Sequence, residues 1–285
     1  MVATLFTGLL RNEMTGPNIH PTALVHPQAA IDQRADIGPY AVIGAGAVIG
    51  SETRVQAHAI IEGSVRLGTG NVIGYGAILG APPQDLAFVP TRKSSVEIGD
   101  HNVIREYCTI HRGTTDGTAT TVGDGNYLMA GAHLGHNCTI GNKVIIANNC
   151  LLGGYVTVAD GAFLGGGCVF HQSIRVGRLA ITQGGSGFSK DIPPFVIAAE
   201  TNLVFGVNAV GLRRAGISAT ERAEIKKAFR LVYTSGMNVS QALTAAGQMS
   251  FGPSGQEFLA FVAEAKKRGI CGYGGGPRAG DNVPG

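Results

Sequence analysis

The feature that most constrains this chain is a six-residue repeat. From Val122 to Pro193 every sixth residue opens a new unit, and nine of these twelve first places hold Val, Ile or Leu. An amphipathic helix repeats about every 3.6 residues and a strand every 2, so neither explains a period of six. Such a period indicates a parallel β-helix built from hexapeptides, in which one short strand directs each aliphatic side chain inward. The first places are Val122, Leu128, Leu134, Ile140, Ile146, Leu152, Val158, Leu164, Phe170, Val176, Thr182 and Phe188.

The repeat extends towards the N-terminus and is interrupted twice. It begins at Ile19 and continues without a break to Leu79. Residues 81–97 contain three prolines and no hexad pattern, which predicts a loop that projects from the β-helix. The pattern resumes at Ile98, one residue out of the earlier frame, and residues 114–121 predict a second, shorter loop. We therefore expect a mostly β chain, with a hexapeptide β-helix over residues 19–195.

A small helical domain is predicted after the β-helix, over residues 196–270. Ser218 with Glu221, and Ser254 with Glu257, match the capping box, in which a serine and a glutamate close the first helical turn reciprocally. We expect helices from Ser218 to about Tyr233, from Ser240 to Ala246, and from Ser254 to the basic run at 266–268. Residues 1–18 form an N-terminal extension, and the Gly- and Pro-rich residues 271–285 predict a disordered tail.

Composition excludes several functional classes. The formal net charge of +3 is too small to indicate a nucleic-acid-binding protein. The apolar run from Val2 to Leu10 is far shorter than the ~20 residues that cross a bilayer, so stable membrane insertion is not expected. Five cysteines without a CxxC motif predict free thiols and no metal site, and four of them fall on the inward fifth place of a hexad. These features favour a reducing cytoplasm.

The candidate chemistry lies on the outside of the β-helix, because aliphatic side chains fill its core. Four of the eight histidines fall in the second half of the repeat: His111, His133, His136 and His171. With about three hexads per coil, His136 and His171 lie nearly two coils apart on about the same edge. Histidine titrates near neutrality and can act as a general base, which makes this group the candidate active site.

Several motifs around these histidines occur in an order that resembles one enzyme family. They are GAPPQDL at 80–86, IHRGT at 110–114, AHLGHNC at 132–138, Asn148-Asn149, His171-Gln172 and FGVNAVGL at 205–212. The chain resembles the UDP-N-acetylglucosamine acyltransferases over about residues 19–267. The resemblance implies a left-handed β-helix, a homotrimer with active sites between subunits, and no cofactor. It also implies transfer of an (R)-3-hydroxyacyl chain from the phosphopantetheine thioester of acyl carrier protein to UDP-N-acetylglucosamine.

The resemblance further implies roles for individual residues. His136 matches the general base, Gly154 the backbone N–H donor to the oxyanion, and Asn137 the residue beside the base. Gly184 matches the position that limits acyl length, and glycine there predicts a long chain. The remaining positions match substrate-binding residues: Gln84, Asp85, His111, His133, Tyr155, His171, Gln172, Asn208 and Arg214. A basic face for the acidic carrier protein is predicted at Arg213, Arg214, Lys226, Lys227 and Arg230.

The sequence departs from the family pattern at five positions. Asn137 stands where aspartate is frequent, and Tyr155 stands where histidine is usual. The other three departures are Ala87 for lysine, Val210 for glutamate and Ala215 for a second arginine. They leave open whether the sugar or acyl preference is altered or the activity is reduced.

Other readings of the sequence remain open. His133 and His136 suggest a hexapeptide zinc hydratase similar to γ-type carbonic anhydrase, in which histidines of two subunits bind Zn²⁺. That family lacks both the GAPPQDL loop and a helical C-terminal domain. A CoA-dependent sugar acetyltransferase would differ only in the donor. The related N-acyltransferase normally carries a uridine-binding N-terminal domain, for which hexads that begin at Ile19 leave no room. A non-catalytic scaffold is the remaining alternative.

Overall fold

A computed structural model of the chain describes residues 16–265 and 268–275. Within them, short strands stack into three parallel sheets, which form the three faces of a β-helix. Ile19 pairs with Ile37, so each coil returns to the same face after three hexads. The predicted β-helix is thereby confirmed, whereas most of the predicted N-terminal extension, residues 1–15, lies outside the described residues.

The three faces are defined by their strands. Face one contains Asn18–Ile19, Asp36–Ile37, Arg54–Val55, Val72–Ile73, Val103–Ile104, Tyr127–Leu128, Ile145–Ile146, Phe163–Leu164, Ile181–Thr182, Val196–Ala199, Leu203–Val207 and Gly272–Tyr273. Face two contains Leu24–Val25, Val42–Ile43, Ile60–Ile61, Ile78–Ala81, Thr109–His111, His133–Leu134, Leu151–Leu152, Val169–Phe170 and Gly187–Phe188. Face three contains Ala30–Ile31, Val48–Ile49, Val65–Leu67, Ser95–Ile98, Ala119–Val122, Thr139–Ile140, Thr157–Val158 and Arg175–Val176.

The hexad pattern produces this fold because the first place of each unit points into the core. Ile61, Leu134 and Leu164 are fully buried, as are most other first-place side chains. Ile19, on the first coil, is 38% exposed, since no earlier coil of the described chain covers it. The cysteines at fifth places are free and buried, and burial raises the pKa of the Cys108 thiol to about 11.

The corners between faces follow a backbone rule that the sequence already suggests. The fourth place often adopts a left-handed conformation, for example at Asn137 with φ 59° and Tyr155 with φ 61°. Apart from Arg112, whose N–H donates to the Ala81 carbonyl at 3.1 Å, no third-place N–H of the described coils donates to a backbone carbonyl. For this reason Pro21 and Pro27, which lack an N–H, fit at third places without loss of a backbone hydrogen bond.

Both predicted loops are present, and both are shorter than expected. The first spans residues 82–94, because the strands Ile78–Ala81 and Ser95–Ile98 extend into its predicted ends. The second spans residues 112–118, since Ala119–Val122 pairs with Ser95–Ile98 on face three. We call residues 82–94 the Pro-rich loop and residues 112–118 the short loop.

The C-terminal domain opens with a β-hairpin that the sequence analysis did not predict. The strands Val196–Ala199 and Leu203–Val207 pair in antiparallel fashion and extend face one. Four helices follow, namely α1 (Ala209–Arg214), α2 (Ala219–Tyr233), α3 (Val239–Ala246) and α4 (Pro253–Ala263). The α2 helix has the predicted capping box at Ser218 and Glu221.

Predicted boundaries in two helices are wrong. The α3 helix begins one residue early, because the Asn238 side chain caps it together with Gln241. The α4 helix begins at Pro253 after the uncapped Gly252, so the capping box predicted at Ser254 is absent. Proline pre-sets the backbone for the first helical turn. The Ser254 hydroxyl instead donates to Glu221 Oε1 at 3.2 Å. The helix ends at Ala263, before the basic run predicted to end it.

Part of the predicted disordered tail is ordered. Gly272–Tyr273 pairs with Leu203–Val204, and the Cys271 side chain is buried. The Tyr233 hydroxyl donates to the Cys271 carbonyl at 3.1 Å, which ties this segment to α2. Residues 276–285 lie outside the described part of the chain. None of the helices described for this chain has the length and apolarity needed to span a bilayer.

Candidate active site

His136 lies at the corner between faces two and three, at a third place of the repeat. The next coil places Gly154 and Tyr155 directly against it, because the Tyr155 N–H donates to the His136 carbonyl at 2.9 Å. The Tyr155 ring packs edge-on against the imidazole, with 5.1 Å between the ring centroids. Stacking of coils therefore brings together residues that are 18 or 19 positions apart.

A hydrogen-bond chain fixes the tautomer of the His136 ring. The Thr114 backbone N–H and hydroxyl both donate to Asn137 Oδ1 at 3.1 Å. Because a backbone N–H can only donate, the Asn137 atom that faces it is the amide oxygen. The same oxygen lies 3.0 Å from His136 Nδ1, so Nδ1 carries the proton. Nε2 then holds a free lone pair, which is the state that a general base requires.

Tyr155 completes this chain from the other side. Its hydroxyl lies 2.9 Å from Thr114 Oγ1. Since that Thr114 hydroxyl donates to Asn137, it accepts from the tyrosine. Tyr155 thus supports the orientation of His136 through Thr114 and Asn137. It does so from a position where the family usually has histidine.

The imidazole of His136 leaves no room for a side chain at Gly154. A Cβ atom there would lie 2.3 Å from His136 Cε1 and 2.5 Å from Nε2. Its N–H occupies a third place and donates to no group in the described residues. A free backbone N–H beside the ring is the geometry that a developing oxyanion requires.

His111 and His133 form a second pair on face two, with 5.1 Å between their ring centroids. His111 Nδ1 lies 2.7 Å from the Pro82 carbonyl, which accepts its hydrogen bond. His133 Nδ1 lies 2.8 Å from Thr109 Oγ1. Burial, and secondarily the charge of His111, lower the pKa of His133 to about 4. His133 is therefore neutral near pH 7.

An open groove of about 590 Å³ runs along face two beside this pair. Gln84, His133 and His171 are among the polar side chains that line it. Leu151 and Val169, which are 43% and 49% exposed, supply part of its apolar wall. The groove therefore combines hydrogen-bonding side chains with an apolar surface.

The remaining predicted residues are more dispersed within one chain. The Asp85 carboxylate accepts from the Ala87 N–H at 2.9 Å and so folds back on its own loop. Asn208 caps α1 and donates to the Leu179 carbonyl at 3.0 Å. Arg214 is exposed at the end of α1. Gln172 and Gly184 lie at third-place corners, and a Cβ at Gly184 would lie 3.0 Å from the Gly166 carbonyl.

The predicted basic face is only partly available. Arg213, Arg214, Lys226 and Arg230 are exposed. Lys227 instead donates to the Ser250 carbonyl at 2.9 Å and lies 4.5 Å above the Phe251 ring. This lysine holds α2 against the segment before α4.

Metal-ligating side chains are not clustered at this corner. Across residues 16–265 and 268–275, no group of three or more His, Cys, Asp or Glu side chains is arranged to hold a metal ion. The His111–His133 pair in particular is occupied by contacts to Pro82 and Thr109.

Two residues that the sequence analysis did not assign belong to this region. Thr114, within the IHRGT motif, links Asn137 to Tyr155. Arg268 donates to His171 Nδ1 at 2.5 Å. Thr114 is the last residue of the IHRGT motif, so that motif could have suggested its role. Arg268 lies 97 residues from His171, and no local pattern signals the contact.

The three-faced fold and the histidine-lined corner define a transferase of the hexapeptide-repeat class. A model of the bacterial transferase hexapeptide repeat matches residues 119–154. A second model, described as UDP-N-acetylglucosamine O-acyltransferase domain 2, matches residues 191–271.

An acyl-[acyl-carrier-protein]–UDP-N-acetylglucosamine O-acyltransferase from Synechocystis is 45% identical over 250 residues, which are 87% of this chain and 90% of the relative. The solved UDP-N-acetylglucosamine acyltransferase of Francisella novicida has a TM-score of 0.86 and 33% identity, and covers 91% of this chain and 95% of its own. The solved enzyme from Bacteroides fragilis has a TM-score of 0.82 and 38% identity, with 88% and 99% coverage.

The chain belongs to the UDP-N-acetylglucosamine O-acyltransferase family. It is therefore an acyltransferase, and its β-helix is left-handed. The family assignment made from the sequence motifs is confirmed.

Proposed function

We propose that this chain transfers an (R)-3-hydroxyacyl group from the phosphopantetheine thioester of acyl carrier protein to the glucosamine 3-hydroxyl of UDP-N-acetylglucosamine. This reaction is the first step of lipid A biosynthesis. The family to which the chain belongs supports the substrates, since its relatives carry the corresponding name. The observation that supports the mechanism is the free Nε2 of His136 beside the free Gly154 N–H.

His136 acts as the general base. A sugar hydroxyl is a weak nucleophile near pH 7, so Nε2 takes its proton while the oxygen attacks the thioester carbonyl carbon. The resulting oxyanion accepts a hydrogen bond from the Gly154 N–H. When the intermediate collapses, the C–S bond breaks and the proton on Nε2 passes to the leaving thiolate. No covalent acyl-enzyme and no cofactor take part.

Asn137 has a narrower role in this mechanism than an aspartate would have. Its amide oxygen orients the ring through the 3.0 Å contact with Nδ1. It carries no charge to balance the imidazolium that forms during the reaction. Tyr155 and Thr114 hold the amide in place, which compensates in geometry but not in charge.

The groove on face two accommodates the substrates. Its apolar wall at Leu151 and Val169 suits an acyl chain. Gly184 matches the position that limits acyl length in the family, and its lack of a side chain favours a long chain. Gln84, His133, His171 and Gln172 hydrogen-bond the polar parts of donor and acceptor.

The complete site requires a neighbouring copy of the chain. Asn208 and Arg214 lie on or beside α1 and do not reach the His136 corner within the described hydrogen bonds of one chain. In a homotrimer these residues, and Asp85, contribute to the site of an adjacent subunit. The exposed Arg213, Arg214, Lys226 and Arg230 dock the acidic carrier protein, and the buried free thiols fit a cytoplasmic enzyme.

One experiment tests donor, acceptor and chain length together. The purified protein is mixed with UDP-N-acetylglucosamine and with carrier proteins that are loaded with 3-hydroxyacyl chains of different lengths. The products are identified by mass spectrometry. An acylated UDP-sugar from a long-chain donor is expected. Absence of product with every donor would reject the proposed reaction, and a monomer in sedimentation would reject the shared site.

A further inference from the structure

Arg112 lies at the base of the short loop and holds the Pro-rich loop through its guanidinium. Its two terminal nitrogens donate to the Arg92 carbonyl at 3.2 Å and the Pro90 carbonyl at 3.3 Å. The guanidinium carbon lies 5.2 Å from the centre of the Phe88 ring, a cation–π distance. Arg112 therefore contacts three residues of one loop at once.

Within the described part of the chain, these are the contacts found for the guanidinium. Its Nε is buried and has no hydrogen-bond partner in the described residues. The salt bridges found there likewise pair no carboxylate with Arg112. Burying half of a cation whose hydrogen bonds go only to loop carbonyls costs desolvation free energy. The position of Arg112 is explained if it fixes that loop.

Asp116 ties the two loops together from the other side. Its carboxylate accepts from the Lys93 N–H at 2.6 Å and from Arg92 Nη1 at 3.2 Å. These two contacts, the backbone hydrogen bond first, lower the pKa of Asp116, so it is ionised at neutral pH. The Gly117 N–H also donates to the Lys93 carbonyl at 2.9 Å. The two loops thus form one braced unit.

Each end of this unit reaches a different part of the candidate active site. The Pro-rich loop carries Gln84 into the groove, and its Pro82 carbonyl anchors His111. The short loop carries Thr114, which donates to Asn137 beside His136. Loss of the Arg112 contacts would therefore free the Pro-rich loop and its Gln84, whereas Thr114 keeps its own contacts to Asn137 and Tyr155.

We propose that Arg112 is a positioning residue that fixes the Pro-rich loop over the groove and thereby sets the affinity for the UDP-sugar. This inference rests on the proposed function for the identity of that sugar. The guanidinium fork matters as well as the charge, because it bridges two carbonyls that a single ammonium group cannot bridge in the same geometry. Arg112 contacts the Pro-rich loop and, as a positioning residue, acts through it.

The test compares Arg112→Met and Arg112→Lys with Arg34→Met as a matched control. Arg34 pairs with Glu52 on an early coil, away from both loops. We expect the KM for the UDP-sugar to rise about tenfold in Arg112→Met, because two hydrogen bonds to a charged group are lost. The kcat should stay within about threefold, and the KM of Arg112→Lys for the UDP-sugar should fall between those of wild type and Arg112→Met.

Limited trypsin digestion provides an independent readout of the loop. Arg92 and Lys93 are exposed cleavage sites within it, and peptide mapping identifies cuts there. Arg112→Met should be cut at this place about tenfold faster than wild type or Arg34→Met. If Arg112→Met does not fold, Arg112→Lys and the surface variant Asp116→Asn replace it, with smaller shifts in the same direction.

The outcomes separate the two proposals. An unchanged KM for the UDP-sugar in a folded Arg112 variant overturns this inference, and so does an unchanged cleavage rate. A lower kcat with unchanged KM also overturns it, since that result would place Arg112 in the chemical step. Failure of the wild-type protein to acylate the sugar rejects the proposed function. The trypsin digestion would still test whether Arg112 fixes the Pro-rich loop.

Discussion

Replacing Gly154 with alanine would place a methyl group against the imidazole of His136. The new carbon would lie 2.3 Å from Cε1, 2.5 Å from Nε2 and 2.9 Å from Nδ1. Non-bonded carbon atoms prefer about 3.5 Å, so the ring would have to retreat by about 1 Å. That movement takes Nδ1 away from Asn137 Oδ1 and Nε2 away from the position in which it accepts the proton.

The expected loss is in turnover and not in folding. A displacement of about 1 Å in a catalytic group can cost about 100-fold in rate. Gly154 does not have a positive φ, so alanine is compatible with its backbone, and the melting temperature should change little. The assay is acyl transfer at saturating substrates, together with thermal unfolding. Gly272→Ala is the control, because its added carbon meets nothing within 4 Å. A Gly154→Ala variant within about threefold of wild-type kcat would refute the assigned geometry.

His136→Ala should fold normally and lose about 100- to 10,000-fold in acyl transfer, and unchanged turnover would reject it as the base. Thr114→Val should lower kcat about tenfold with little change in the KM for the UDP-sugar, because Asn137 loses one of its donors. His133, which faces His111, has its pKa lowered from 6.5 to about 4, so the unfolded chain binds the proton first as pH falls. Stability should therefore be full above about pH 6.5 and decline towards pH 4, and His133→Gln should reduce that decline in melting temperature.

The β-helix could be predicted from the sequence because each coil repeats the same local requirement. An aliphatic first place and a small fifth place fill the core, and prolines at third places mark corners where no backbone donor is needed. The hairpin at Val196–Ala199 and Leu203–Val207 was missed because it lies beyond the last hexad and has no turn motif of the common type. The strand at Gly272–Tyr273 was missed because glycine-rich composition suggested disorder, whereas burial of Cys271 decides its conformation.

The candidate site was predicted only as far as its motifs reach. Sequence spacing brought His136 and Gly154 together, since they occupy the same place in successive coils of face two. The role of Thr114 depends on the path of the short loop, which no periodicity describes. The dispersal of Asp85 and Arg214 away from the corner reflects contacts within one chain. In the proposed homotrimer a neighbouring subunit would complete the site, and no local sequence pattern encodes that geometry.

Third-place N–H groups without an acceptor affect how new active sites can evolve on a β-helix. The N–H groups of His136, Gly154, Gln172 and Gly184 donate to no backbone carbonyl in the described residues, so substitutions that keep the backbone path remove no donated backbone hydrogen bond from the β-helix. At the His136 corner of other coils, the N–H groups of Ala45 and Gly63 likewise have no acceptor in the described residues. New chemistry could therefore arise at a different level of the stack by exchanging two or three side chains, with the hydrocarbon interior left as it is.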